Sequence, residues 1–70
     1  MTSRELLATT KAFPAAPVTL EQYFRFLNGD PYECLVLGIY SREDKMRHVA
    51  ETWGITQRDA LRAYAAAGWV

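Results

Sequence analysis

The side chains that could carry reaction chemistry are few and scattered. His48 is the single histidine of the chain and Cys34 its single cysteine. A metal site needs several ligands at fixed spacing, and neither His nor Cys neighbours supply them. His48 therefore reads as a surface or half-buried helical histidine. Cys34 lies in an apolar run with no basic neighbour to favour a thiolate, and reads as a buried, inert thiol. Glu43 and Asp44 are adjacent, but the first turn of a helix attracts carboxylates through its dipole. Glu51 and Asp59 read as solvated charge and helix cap. The sequence holds no phosphate-cradling glycine loop, no nucleophile elbow and no Ser/His/Asp arrangement. The expectation is a non-enzyme, with no catalytic residue, no metal and no cofactor.

Length and charge narrow the class further. Seventy residues allow one domain at most, and so short a chain buries only roughly 60 % of its unfolded surface. Half of the residues are hydrophobic, enough to build a core. Lys plus Arg and Asp plus Glu each number 8, so the formal net charge is zero. Residues 1–40 carry three cations against four acids, net −1, and residues 41–70 five against four, net +1. One cysteine cannot form an internal disulfide, which suits a reducing compartment. Arg4 and Glu5 interrupt any signal-peptide pattern, and no segment approaches the roughly 20 apolar residues of a membrane span. A soluble cytoplasmic protein, without membrane contact, is the expectation.

The elements that must position these side chains are helices. Ser3 is placed to cap a short first helix, Arg4 to about Lys11, with Leu6 and Leu7 on one side. Phe13-Pro14-Ala15-Ala16-Pro17 then breaks it, since two prolines favour extended backbone. Phe13 could anchor that linker. Thr19 and Gln22 form a capping box for a helix whose Leu20, Tyr23, Phe24 and Leu27 fall at i, i+3, i+4 and i+7. Asn28-Gly29 stops it. Asp30, Pro31 and Glu33 make a strong helix start before the apolar run Cys34–Tyr40, expected as a buried helix and hub of the core. Ser41 with Asp44 caps the next helix, with Met46, Val49, Ala50 and Trp53 inward and Gly54 at its end. The last helix is expected from Gln57 to about Ala67, with Leu61, Tyr64 and Ala65 inward. The predicted fold is all-α: a small bundle of four short helices, plus an N-terminal helix whose order the sequence leaves open. Residues 1–17 form an N-terminal segment of short helix and Pro-containing linker, and residues 18–70 a compact helical domain.

The stretch from His48 to Arg62 reads as helix, tight turn, helix. Ala50 and Gly54 put a small residue where two helices approach and a glycine where the first stops. Thr56 caps the second helix, with Asp59 three residues on. Val49, Trp53 and Ile55 fold the corner onto a core. Over residues 46–64 this resembles the helix-turn-helix of DNA-binding regulators. The resemblance implies a helix-turn-helix-like corner and a DNA-binding surface at the exposed start of the second helix, carried by Thr56, Gln57, Arg58 and Arg62. Arg can read guanine, Gln can read adenine, and Thr can hold phosphate. Arg42 and Lys45, at the start of the preceding helix, would sit near phosphates. In that family apolar residues recur at fixed spacing along the second helix. Here Ala60 and Ala63 hold those places and the bulk shifts one residue, to Leu61 and Tyr64.

Two functions from different classes stay open. The first, slightly preferred, is a small DNA-binding transcription regulator acting as a homodimer on double-stranded DNA with a two-fold site. The second is a small protein-binding inhibitor or adaptor, of the sort phages and mobile elements encode, that masks a surface of a larger partner. Zero net charge and nine aromatic residues suit the second. Phe26, Tyr40 and Trp69 are the aromatics least easily placed inside one small bundle, and are the candidate partner or dimer interface.

Overall fold

The computed structural model describes residues 2–13, 16–29, 38 and 41–69. Of these residues 66 % are helical and 7 % are in strands, which makes the chain a small helical protein. The described elements are α1 (Ser3–Leu7), β1 (Thr10–Lys11), β2 (Val18–Thr19), α2 (Leu20–Gly29), α3 (Arg42–Trp53) and α4 (Gln57–Ala66). Of the expected helix through Cys34–Tyr40 only Gly38 is among the described residues, in a turn at φ 72°. None of the described helices is long and apolar enough to cross a membrane.

Local hydrogen-bond chemistry sets most helix starts. At α3, Ser41 Oγ accepts from the Asp44 amide at 3.1 Å and the Asp44 carboxylate accepts from the Ser41 amide at 3.3 Å. Thr19 and Gln22 make the same exchange at α2, at 3.1 and 3.0 Å. Each pair satisfies two amides that a helix start leaves without an internal partner. At α4 the cap is one-way: Thr56 Oγ1 accepts from the Asp59 amide at 3.0 Å. At α1 the capping residue is Thr2, one before the expected Ser3, with Glu5 returning the bond. Hydrogen bonds from Thr2, first its hydroxyl and then its amide, hold the exposed Glu5 carboxyl below its ordinary pKa.

The first helix also ends earlier than expected, at Leu7 rather than near Lys11. Thr9 turns its hydroxyl onto the Leu6 carbonyl at 2.6 Å, which competes with helix continuation. The chain then runs extended, and Thr10–Lys11 pairs antiparallel with Val18–Thr19, Thr10 opposite Thr19. So short a ribbon is unstable alone in water. Here Phe13 lies over Tyr23 with ring centroids 5.7 Å apart, and Trp53 Nε1 donates to Thr9 Oγ1 at 3.1 Å.

One core takes side chains from all four described helices. Leu6 and Leu7 come from α1, Leu20, Tyr23, Phe24 and Leu27 from α2, Met46 and Val49 from α3, and Ala60, Ala63 and Tyr64 from α4. The expected stripes of α2 and α3 are the ones found, with Trp53 half-buried at the edge. The inward set of α4 needs correction. Ala60, Ala63 and Tyr64 face the core, while Leu61 and Ala65 are exposed. Helix α4 packs against both α3 and α1. Two alanines with no exposed surface allow that close approach, where a leucine would hold the helices apart.

Glycines end the last two helices. Gly54 adopts φ 69° and ψ 34°, and both its amide and that of Ile55 return to the Ala50 carbonyl. Nothing lies within 4 Å of where a Cβ would project, so a side chain there meets backbone strain alone. Gly54→Ala is therefore expected to lower stability by about 1 kcal/mol. Urea titration should show a lower midpoint at an unchanged slope. A midpoint equal to that of the parent would mean the left-handed cap is not held in solution. At the end of α4, Gly68 at φ 90° donates to the Ala65 carbonyl and Trp69 to that of Tyr64. This pairing places Trp69 against Tyr64, with their rings stacked at 6.3 Å.

Candidate functional site

The candidate surface is the outer face of α4 with the first turn of α3. With Ala60, Ala63 and Tyr64 turned inward, the 100° advance per residue turns Arg58, Leu61, Arg62 and Ala65 outward. Gln57 and Asp59 fall on the two edges of that face. Thr56, Gln57, Arg58 and Arg62 are all exposed, as is Arg42 in the first turn of α3. The Thr56 oxygen is occupied as the helix cap, which leaves its O–H as a donor.

The guanidiniums on this face take no part in the ion pairs found among the described residues. Among the described residues, ion pairs join Arg25 to Glu21 at 3.8 Å and Arg47 to Asp44 at 2.9 Å. Arg42, Arg58 and Arg62 have no acidic partner within that range among the described residues. Three guanidiniums on two neighbouring helices offer planar, multi-donor contacts to an anionic ligand. Glu43 and Asp59 are exposed beside them and reduce the local positive charge.

The structure brings some expected residues together and separates others. Arg42, Glu43, Gln57 and Arg58 line one groove of about 320 Å³ between α3 and α4, together with Met46 and Leu61. Arg62 lines a different hollow of about 520 Å³, with Asp59, Ile55 and the start of α1. Lys45 is half-buried and turned inward, donating from Nζ to Asn28 Oδ1 at 3.1 Å. One of its three donors is thus committed to the fold.

Of the candidate interface aromatics, Phe26 and Trp69 each retain 40 % of their surface exposed, and Tyr40 lies outside the described residues. Phe26 leans on Tyr23 at 5.8 Å and shares a shallow apolar groove of about 280 Å³ with Phe13, Val18 and Tyr23. Cys34 also lies outside the described residues. His48 is half-buried: its Nε2 and the Tyr23 hydroxyl share a hydrogen bond of 2.6 Å, and the two rings stack at 5.8 Å.

Two features carry more of the arrangement than the sequence suggested. Leu61, expected inward, is the one large apolar side chain on the outer face of α4. Asn28, expected only as a helix stop, ties three helices. Its Oδ1 accepts from Lys45 Nζ and from the Tyr64 hydroxyl at 2.9 Å, and its Nδ2 donates to the Phe24 carbonyl at 2.8 Å. The only sequence signal for that role was an amide side chain one step past the apolar stripe.

The fold and this surface are those of a small helical protein with arginines on the outer face of α4. Comparison with protein-family models, with curated proteins and with solved structures gave no match for the chain.

Proposed function

We propose that the chain is a small, non-enzymatic helix-turn-helix-type regulator that binds double-stranded DNA. In this reading α3, the Gly54-Ile55-Thr56 turn and α4 form the helix-turn-helix, and α4 enters the major groove. The observation that carries it is the register of α4. Ala60 and Ala63 are fully buried, the places where the motif wants its inward residues, and Arg58 and Arg62 are left outward without acidic partners among the described residues. Arg58 and Gln57 then reach base edges, Thr56 and Arg42 reach phosphates, and Arg62 follows one turn after Arg58. Lys45 contributes through its remaining donors. Binding as a homodimer on a two-fold site would bring two such helices to successive half-sites, with Phe26, Tyr40 and Trp69 as seam candidates.

Fluorescence anisotropy of a labelled generic duplex tests this. At low salt the dissociation constant should fall near 10⁻⁴–10⁻⁶ M and weaken steeply as salt rises. The double variant Arg58→Ala/Arg62→Ala should bind about tenfold more weakly or worse, with a shallower salt dependence. Unchanged binding by that variant would remove α4 as the reading helix.

A second reading rests on a separate observation: the exposed Phe26 beside Phe13, Val18 and Tyr23, on a chain of zero net charge. In it the chain is an inhibitor or adaptor that masks a surface of a larger protein. A folded sample that ignores duplex DNA at low salt but recovers one stoichiometric partner would put this reading first.

A further inference from the structure

The outer face of α4 carries one large apolar side chain that lies outside the core cluster. Leu61 is 42 % exposed, at the centre of a helix whose inward places are filled by alanines. It lies one turn after Gln57 and Arg58 and one turn before Ala65, so its neighbours on that face are two polar donors and a methyl group. Part of its surface is covered in the groove it shares with Met46, and the part left in water is unfavourable. In the major groove one feature of the bases is apolar, the 5-methyl group of thymine.

We infer that Leu61 is a specificity residue that packs on thymine methyl groups, so that the preferred DNA of this chain is thymine-containing at the step beneath the middle of α4. The inference rests on the DNA-binding reading and deepens it. Occupancy by DNA rather than another apolar partner follows from charge: the leucine is flanked on the same face by Arg58 and Arg62, with Arg42 lining the groove beside it, and none of the three has an acidic partner among the described residues. Glu43 lines that same groove and offsets one of its two guanidiniums, and Asp59 lies beside Arg62 in the other hollow, so three guanidiniums against two carboxylates leave a positive excess of one across the face. Gln57 and Arg58 supply the hydrogen-bonding half of recognition at adjacent pairs, and Leu61 supplies the apolar half.

The test removes the methyl group and nothing else. Affinities are measured for the alternating copolymer poly(dA-dT), for its uracil counterpart poly(dA-dU), and for poly(dG-dC), at low salt. The wild-type chain should bind the thymine polymer more tightly than the uracil polymer, by about fourfold for each methyl covered, the factor that burying one such group supplies. Leu61→Ala should bind the two polymers alike and retain the parent's helical circular dichroism, since the site is exposed and alanine favours helix. Equal wild-type binding to the thymine and uracil polymers, with salt-dependent affinity for both, would overturn the role of Leu61 and leave the DNA reading standing. A thymine preference that survives in Leu61→Ala would also overturn it, by assigning the methyl contact to another side chain. Absence of binding to all three polymers at low salt would remove both readings together.

Discussion

Phe24→Ala is expected to remove about 3–5 kcal/mol of folding stability, the loss typical of deleting a fully buried phenylalanine ring. Phe24 has no exposed surface, and its ring meets that of Tyr64 edge-on at 5.1 Å and 77°. The loss combines transfer of the ring out of an apolar site, the cavity left behind and the aromatic pair. Domains hold about 0.05–0.15 kcal/mol per residue, so about a third or more of the total is at stake. The melting temperature should fall by at least about 12 °C. The control is on the same helix. Phe26 is 40 % exposed and packs mainly on the Tyr23 ring. Phe26→Ala should change stability by about 1 kcal/mol or less, as surface substitutions do. Circular dichroism melts of the two variants decide the matter. Similar losses for both would mean that α2 does not present Leu20, Tyr23, Phe24 and Leu27 as its buried stripe.

That stripe was legible because α2 is amphipathic, and large apolar side chains recur at its helical period. The starts at Ser41, Thr56 and Thr19 were legible for another reason. A cap is chemistry between residues three apart, so no tertiary information is needed to see it. Both signals fail where packing decides. In α4 the heavier Leu61 was assigned inward because alanine carries little apolar signal. The structure buries Ala60 and Ala63 instead, because α4 lies against two helices at once and only small side chains fit. The pairing of Thr10–Lys11 with Val18–Thr19 was not legible either. Each strand is two residues long, and the prolines between them pointed to a linker.

The candidate site divides along the same line. Exposure of Thr56, Gln57, Arg58, Arg62 and Arg42 follows from their places around two caps, which sequence can read. Their grouping does not. Arg42 shares a groove with Gln57 and Arg58, while Arg62 opens into the hollow beside α1, and only the packing of α1 and α3 on α4 determines that. Lys45 shows how a residue expected near phosphates acquires another use. A cation near a helix start suits phosphate, yet the carbonyl of Asn28 lies within reach from α2 and takes one of its protons. The relation between His48 and Tyr23, 25 residues apart, has no local signature at all.

Asn28→Ala should be the most damaging polar substitution, at about 2–3 kcal/mol, because it removes three hydrogen bonds of about 1 kcal/mol each. The loss is not spread evenly. Lys45 is half-exposed and can turn to water, whereas Tyr64 is 6 % exposed and its hydroxyl would lose the partner seen here. Tyr64→Phe deletes the other end of that bond and keeps the ring against Phe24, so about 1 kcal/mol is expected. With the hydroxyl already gone, the alanine at position 28 has less left to break. The double variant should therefore fall short of the sum of the two by about 0.5 kcal/mol or more. Urea denaturation of the four proteins measures this coupling directly, and strict additivity would mean the Asn28–Tyr64 bond does not form in solution. A consequence for function follows from which elements the knot joins. Asn28 binds α3 through Lys45 and α4 through Tyr64, the two helices that carry Arg42, Arg58 and Leu61. Its loss should therefore weaken any ligand held across both helices, even at temperatures where the chain remains folded.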